Sequence, residues 1–463
     1  MASAPAPFIT KGQRREMAYN GPMRSGLVID SRALLVKGYE NYQMELLAKL
    51  NPAGSGQWYA PHMQNRGNRM QIDVDTRRGR TIIPGYFIAR GIAGEALASL
   101  LAQKGLPARL DSPDKAATFH ISAIDLRLYD MGYGSVTFAG ELEAHGDMSV
   151  EEYRDAAEKI GSALADFRPL FISTFEQVSA EVSTEFVALS FHGLRPTNAY
   201  WRNSHLGQNI GDLFWVHRLF SIECQNHQQF LRKKDLCKRL VVSEAAETLE
   251  DMSIDPHMAI YPGNGNSAVI FEKGKPKPQD INTLTSMVRA QNIFYVAAED
   301  IDRDMFYLSN ELDRQKHSKN MSLLEKQSEV IVDYQSKVTF FKAIYDDFDN
   351  SLDPQGLKVW HALEKSWATR DRFTNMNTKL ELVEKIYNRI RENLNHLQNK
   401  RIGTFMLAFT LISTLSVIVD TVDFTQGADL KYPSIIRIAV LVMLLLVVIF
   451  FAVGVMRGGK RRV

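Results

Sequence analysis

The chain has 463 residues, with 55 Lys and Arg against 53 Asp and Glu, a formal net charge of +2, 45% hydrophobic residues and 23% charged residues. These proportions exclude a wholly disordered, collagen-like or disulfide-scaffold protein, and the near-balanced charge argues against a dedicated nucleic-acid binder, which carries a strongly basic stripe. Cys224 and Cys237 are too few for a disulfide framework and suit a reducing compartment.

The length allows two or three domains. The amino terminus, MASAPAPFITKGQRREM, lacks an apolar h-region, so no secretory signal peptide is expected. Residues 1–110 read as a partly irregular N-terminal extension, with the loop-like stretch NPAGSGQWYAPHMQNRGN. Residues 84–105 contain an expected helix ending near Gly105. A β-hairpin follows: 118–129 places Ile124, Leu126 and Leu128 on one face, DMGYGS turns, and 135–143 alternates through Val136, Phe138 and Leu142. Residues 149–167 read as a helix with Ser149 as N-cap and Glu151 and Glu152 in its first turn. Residues 185–193 read as a strand and 211–232 as a helix. A second hairpin, 257–261 with 267–273, turns at PGNGN. Residues 111–278 thus form a mixed α/β domain without tandem βαβ periodicity.

Residues 279–401 read as a stalk of long helices. Two of them, 279–316 and 319–348, are charged and have few turn signals. A third begins near Pro354, which suits a first helical turn, and the chain from there to Gly403 has no further proline and only Gly356. Leu357, Trp360, Leu363, Trp367, Met376, Leu380, Val383, Ile390, Leu394 and Leu397 recur largely at steps of three and four, with a break around 369–372. A helix of about 65 residues spans roughly 100 Å at 1.5 Å per residue, so its apolar stripe needs partners.

Residues 402–419 and 438–456 are free of charge. Each is about as long as the 17–25 residues that cross a bilayer core, so 402–456 reads as a two-span transmembrane region and 457–463 as a basic cytosolic tail. Lys400 and Arg401 precede the first run; Arg457, Lys460, Arg461 and Arg462 follow the second; the loop between carries Asp420, Asp423 and Asp429 against Lys431 and Arg437. The positive-inside rule puts both ends in the cytoplasm, so the expectation is an integral inner or cell-membrane protein. Thr410, Ser413, Ser416 and Asp420 step by three, three and four along one helix face. Small hydroxyl residues both let membrane helices pack closely and line polar paths, and the residue types fit either role. In a symmetric oligomer Asp420 and Asp423 would form carboxylate rings at the outer mouth.

Other motifs are weaker. Gly263–Asn266 lacks the Lys-Ser/Thr of a phosphate loop and reads as a turn. Asp300, Asp302 and Asp304 with Glu311 match positions of a calcium loop, but Met305 replaces its glycine; a solvated helix face is the first reading, and a divalent site between subunits using some of Glu299, Asp300, Asp302 and Asp304 is the second. Asp346, Asp347, Asp349 and Asp353 form a similar acid-rich turn. His192, His205, His217 and His227 lie around the cysteines without zinc spacing. No catalytic motif appears, and no enzyme is expected.

The order of parts, a cytosolic α/β domain, long helices, a helix entering the first span, an apolar second span and a basic tail, resembles the CorA-type divalent-cation channel superfamily over 193–463. The resemblance implies an α+β cytosolic domain followed by long α-helices and two C-terminal transmembrane helices. It also implies a homopentamer whose first span lines the pore, with Mg2+ or another divalent cation as its ion. Lys400, Arg401, Lys460, Arg461 and Arg462 match the family's cytosolic basic belt. The Gly-Met-Asn triplet of its magnesium channels is absent, because the region reads Val419-Asp420-Thr421-Val422-Asp423-Phe424, so that selectivity site is not carried over. A fainter resemblance is to the mitochondrial meiotic-division relatives, which share long helices and a C-terminal anchor. The expectation is an oligomeric cation channel gated by its enlarged cytosolic domain through a soluble ligand, which would make it a signal-gated membrane effector; the alternative is a membrane-anchored scaffold whose α/β domain binds a protein partner.

Overall fold

The structure is a computed structural model. It describes residues 7–29, 46–51, 57–59, 86–129, 131–181, 186–188, 210–242, 249–275, 278–315, 352, 354–427, 438, 439 and 442, with separate helical positions between 331 and 346. The chain divides into two compact units: Met1–Glu311 with Lys326–Val383, and Leu312–Glu325 with Glu384–Val463.

The first unit is built on one sheet. Its described strands are β1 (Arg14–Ile29), β2 (Trp58–Tyr59), β3 (Tyr86–Ala93), β4 (Arg109–Asp111), β5 (Ala117–Tyr129), β6 (Met131–Ala144), β7 (Phe186–Ala188), β8 (His217–Cys224), β9 (Met258–Tyr261) and β10 (Asn266–Glu272). The order is β2-β3-β5-β6-β1-β8-β10-β9, with β4 beside β5 and β7 beside β1. The β8–β10 pair is parallel and the other pairs are antiparallel. The helices are α1 (Gly94–Lys104), α2 (Val150–Ala163), α3 (Arg168–Glu181), α4 (His227–Val241), α5 (Pro278–Gln315), α6 (Pro354–Trp367) and α7 (Thr369–Gly427), and a 3-10 turn at Leu164–Phe167 joins α2 to α3.

Alternation along the strands separates two faces. One carries Met17, Tyr19, Phe119, Ile124, Leu126, Val136, Phe138, Leu142, Phe220 and Ile222, all buried under helices that include α2, the 3-10 turn and α3. Tyr19 meets Phe119 edge to face at 4.9 Å, and Phe138 meets Phe167 in the same way at 5.0 Å. Helix α2 starts as its sequence predicts. Ser149 Oγ accepts the Glu152 N–H at 3.2 Å, and the Glu152 carboxylate accepts the Ser149 N–H at 2.8 Å, a capping box.

Both predicted hairpins form, with longer strands at the first. Three expectations are corrected. Residues 1–110 are not an extension: β1 lies in the middle of the sheet, between β6 and β8. Its alternation is hidden because Tyr19 and Met23 sit among small and polar residues that face the other side. The helix expected within 84–105 is α1, which ends at Gly105 (φ 65°) as read, while 86–93 before it pairs with β5 as β3. The helix expected over 211–232 is a strand followed by a helix. β8 buries His217, Leu219, Phe220, Ile222 and Cys224 at a spacing closer to two than to 3.6, and Asn226 caps α4 by accepting the Gln229 N–H at 2.9 Å. The long third helix is not one rod: Ala368 adopts φ 51° and separates α6 from α7. Most of 319–348 and of 438–456 lies outside the described residues.

Gly140 occupies a place where only glycine fits. It pairs with Ile121 next to the register shift between Ile121 and Ala123. A Cβ there would run into the His120 carbonyl oxygen and lie 2.9 Å from Phe119 Cζ. Gly140→Ala should cost about 3 kcal/mol, read as a lower urea midpoint with unchanged slope.

Candidate functional site

The second face of the sheet carries a cluster of polar side chains, and α5 lies against it. A buried polar group without a partner costs about 1–3 kcal/mol, and a line of these side chains is joined by hydrogen bonds and ion pairs. At one end the Tyr59 hydroxyl donates to Asp125 Oδ1 at 2.5 Å, and Arg127 Nε donates to Asp125 Oδ2 at 3.0 Å. Arg289 of α5 reaches the same oxygen at 3.1 Å and donates through Nε to Thr137 Oγ1 at 2.9 Å. Thr137 Oγ1 also accepts Asn20 Nδ2 at 2.9 Å; Asn20 Oδ1 accepts Asn292 Nδ2 at 2.6 Å; and Asn292 Oδ1 accepts Trp215 Nε1 at 2.8 Å. The line runs from β2 through β5, β6 and β1 to α5 and on to Trp215. Burial pushes the Asp125 carboxyl up, but Arg127 and Arg289 outweigh it and hold the group below its usual range.

The network meets an aromatic cluster where α6 gives way to α7. Trp215 lies 5.1 Å from Tyr295 and 5.9 Å from Trp367, and His217 stacks on Trp367 at 5.6 Å. Trp367 Nε1 donates to the Gly263 carbonyl in the β9–β10 turn at 3.1 Å, and Gln291 donates to the Thr369 hydroxyl. Arg372 lies over Tyr295 at 4.1 Å. Phe294, Tyr345, Trp360 and Phe373 pack around the same junction. The junction of α6 and α7 is therefore tied to the sheet and the β9–β10 turn through Trp367, and to α5 through Thr369 and Arg372.

Helix α7 is continuous for 59 residues. Phe373, Met376, Leu380 and Val383 are buried in the first unit, and Ile390 and Leu394 are buried in the second. Beyond Lys400 its surroundings reverse. Phe405 and Phe409 are each 70% exposed, and Ile402, Met406, Ile412 and Val417 are also bare. This stretch is long and apolar enough to cross a membrane, with none of it buried.

The predicted pore-lining residues Thr410, Ser413, Ser416 and Asp420 are exposed on this stretch. At about 100° per residue they share an arc of about 120° on the unbroken helix. By the same arithmetic Ile402, Met406 and Phe409 fall on that arc, toward the Lys400 end. Thr410 donates its hydroxyl to the Met406 carbonyl at 2.8 Å, and Thr414 donates to the Thr410 carbonyl at 2.6 Å, so these donors are satisfied within the helix without water. Lys400 is exposed. Arg401 and Asp423 belong to α7, but their side chains lie outside the described residues, as do Lys460, Arg461 and Arg462.

The acids weighed for metal are placed differently from one another. Asp300 is buried: Arg24 donates to its two oxygens at 3.1 and 2.6 Å, Tyr133 donates at 3.2 Å, and Arg303 pairs with it as well. A cation there would have to displace guanidinium groups. Asp302 pairs with Lys379 of α7 at 2.6 Å. The side chain of Asp304 lies outside the described residues. Sequence reasoning missed the network itself, because Asn20, Thr137, Arg289 and Asn292 are ordinary residues until the fold gathers them. The one usable signal was polar residues interleaved with apolar ones in 124–138.

No protein-family model matches this chain, and no curated protein has a significant sequence match to it.

Two outcomes follow from the buried groups. Asp125→Leu leaves Arg127 and Arg289 uncompensated and should destabilise the protein by about 3–5 kcal/mol, measured by denaturant unfolding, whereas Glu141→Gln at an exposed pair should change little. Burial, and secondarily Arg218, lower His217 to a pKa of about 3. The folded state therefore holds it neutral while the unfolded chain takes up a proton near pH 6.5. Its contribution is complete above about pH 6.5 and is lost toward pH 3, with a slope of up to about 1.4 kcal/mol per pH unit. Unfolding midpoints measured from pH 7 to pH 4 should fall, and His217→Gln should flatten that dependence.

Proposed function

We propose that this chain is a membrane effector, a CorA-like homo-oligomeric cation channel whose cytosolic sheet domain governs its membrane helix. The observation that supports it is α7: one unbroken helix is anchored at Thr369 in the sheet domain and ends in a bare apolar stretch. In this reading 438–456 forms the second span, both termini are cytoplasmic, and five copies place Thr410, Ser413, Ser416 and Asp420 around a pore for Mg2+ or another divalent cation. Asp423 stands at the outer mouth, and Lys400, Arg401, Lys460, Arg461 and Arg462 form the inner basic belt. Ile402, Met406 and Phe409 on the same arc make an apolar constriction below the polar one, and such constrictions close by dewetting. A soluble ligand on the sheet domain opens it by binding the open state more tightly than the closed one.

Two observations favour the second reading, a membrane-anchored scaffold. The Gly-Met-Asn triplet is absent from 419–424, and the Thr410 and Thr414 hydroxyls are already satisfied inside the helix.

The deciding measurement is oligomeric mass in detergent, followed by divalent-cation flux into liposomes. A pentamer with flux, abolished by Thr410→Leu with Ser413→Leu and made constitutive by Met406→Asn, is the expected result. A monomer or dimer without flux, or a protein that keeps its cellular activity on an unrelated membrane anchor, sinks the channel and leaves the scaffold.

A further inference from the structure

On the apolar-core face of the sheet, away from the polar network, three potential ligands converge. Glu272 ends β10, where the parallel register pairs it with Cys224 of β8. His227 is the first residue of α4, directly after the capping Asn226. His257 precedes β9; its N–H donates to Asp255 Oδ1 at 2.8 Å, and its carbonyl accepts the Glu272 N–H at 3.1 Å. Each element is fixed by its own backbone hydrogen bonds, so the three side chains are brought together by the fold and not by local flexibility.

Both imidazoles turn Nδ1 toward a single oxygen, Glu272 Oε1, with His257 at 3.0 Å and His227 also in contact. One ligand atom from each residue lies within 4.8 Å of the other two. The rings stand nearly perpendicular, with centroids 5.9 Å apart, so they converge on the carboxylate without stacking on each other. The Glu272 side chain is 9% exposed, while His227 and His257 are 55% and 39% exposed: a sunken carboxylate lies under two imidazoles that open to solvent. A cation bound there would meet the lone pair of each Nδ1, the ring proton then residing on Nε2.

We propose that His227, His257 and Glu272 bind a divalent transition-metal ion of the zinc class through the two Nδ1 atoms and the carboxylate. The donor set sets the chemistry. Two imidazoles and one carboxylate suit Zn2+, Co2+ or Ni2+, whereas Mg2+ and Ca2+ take oxygen ligands. Three protein ligands leave a further position for water on the exposed side. The ion would staple the start of α4 to the β9–β10 hairpin, elements that approach only in the folded chain, so binding raises the stability of this part of the sheet. The spacing of histidines along the chain could not reveal the site, because each ligand comes from a different element. The assignment does not depend on the channel reading: the site can bind metal whether or not the protein conducts ions.

The test uses the full-length protein in detergent, stripped with EDTA and freed of chelator, and titrated with ZnCl2 by calorimetry. One equivalent per chain is expected, with a rise in Tm and no competition from millimolar Mg2+. Co2+ in place of Zn2+ should give visible absorption from a nitrogen- and oxygen-ligated ion. His227→Ala and His257→Ala remove exposed rings and should keep the metal-free Tm while weakening Zn2+ by at least about 100-fold; Glu272→Gln should do the same with its shape preserved. Absence of saturable binding at micromolar Zn2+ overturns the proposal. So does one-equivalent binding that survives both histidine substitutions, which would place the metal elsewhere.

Discussion

Polar groups withdrawn from water are costly unless partnered, and the sheet of the first unit gathers a cluster of them on one face. Its two surfaces are satisfied by different physics. The side under α2 and α3 is a close-packed apolar core around Tyr19, Phe138 and Phe167. The other side is joined to α5 by a chain of hydrogen bonds and ion pairs through Asp125, Arg289, Thr137, Asn20 and Asn292. Apolar packing tolerates sliding and repacking at modest cost, whereas hydrogen bonds at 2.6–3.1 Å fix one register. Helix α5 is therefore held at a defined position along its own axis, and Arg24 with Asp300 adds a further ionic tie two turns on.

That register carries through to the junction of α6 and α7. Trp367, Ala368 and Thr369 form a break in which one residue has positive φ and its two neighbours are hydrogen-bonded to other elements. A non-glycine residue in that conformation is held there by its surroundings. The junction of α6 and α7 thus makes contacts with three separate parts of the sheet domain. Toward the apolar end of α7 Ile402, Phe405, Phe409 and Ile412 are exposed, and Thr404, Thr410 and Thr414 donate to their own helix backbone. One helix meets two environments, and the change falls near Lys400.

The clusters of ionisable groups around Asp125, Asp300 and Glu272 are of two kinds, which differ in their balance of charge. Asp125 and Asp300 are each surrounded by guanidinium groups, so their charges are neutralised inside the protein. Glu272 is met by two imidazoles that are open to solvent, a donor set that suits a metal ion. The first kind of cluster builds structure; the second leaves a site that can respond to what is in solution.

How much of this could be read from the sequence varies with the range of the interaction concerned. Ser149 and Glu152 announce the start of α2, Gly105 the end of α1, PGNGN the second hairpin, and the uncharged run after Arg401 the bare end of α7; each depends on neighbours a few residues apart. The place of β1 at the sheet centre was not legible, because a strand paired on both sides by segments more than a hundred residues away carries no local mark of its position. The same holds for the strand at 217–224, whose apolar residues suit a short helix until β10 and β1 pair with it. The polar network and the His227–His257–Glu272 cluster are further from sequence still, since each needs side chains from several elements at hydrogen-bond distance. Local chemistry determined where helices start, where chains turn and which stretch repels water. Only the tertiary structure decided which polar residues meet, because that is set by the register of strands and helices that the chain brings together from afar.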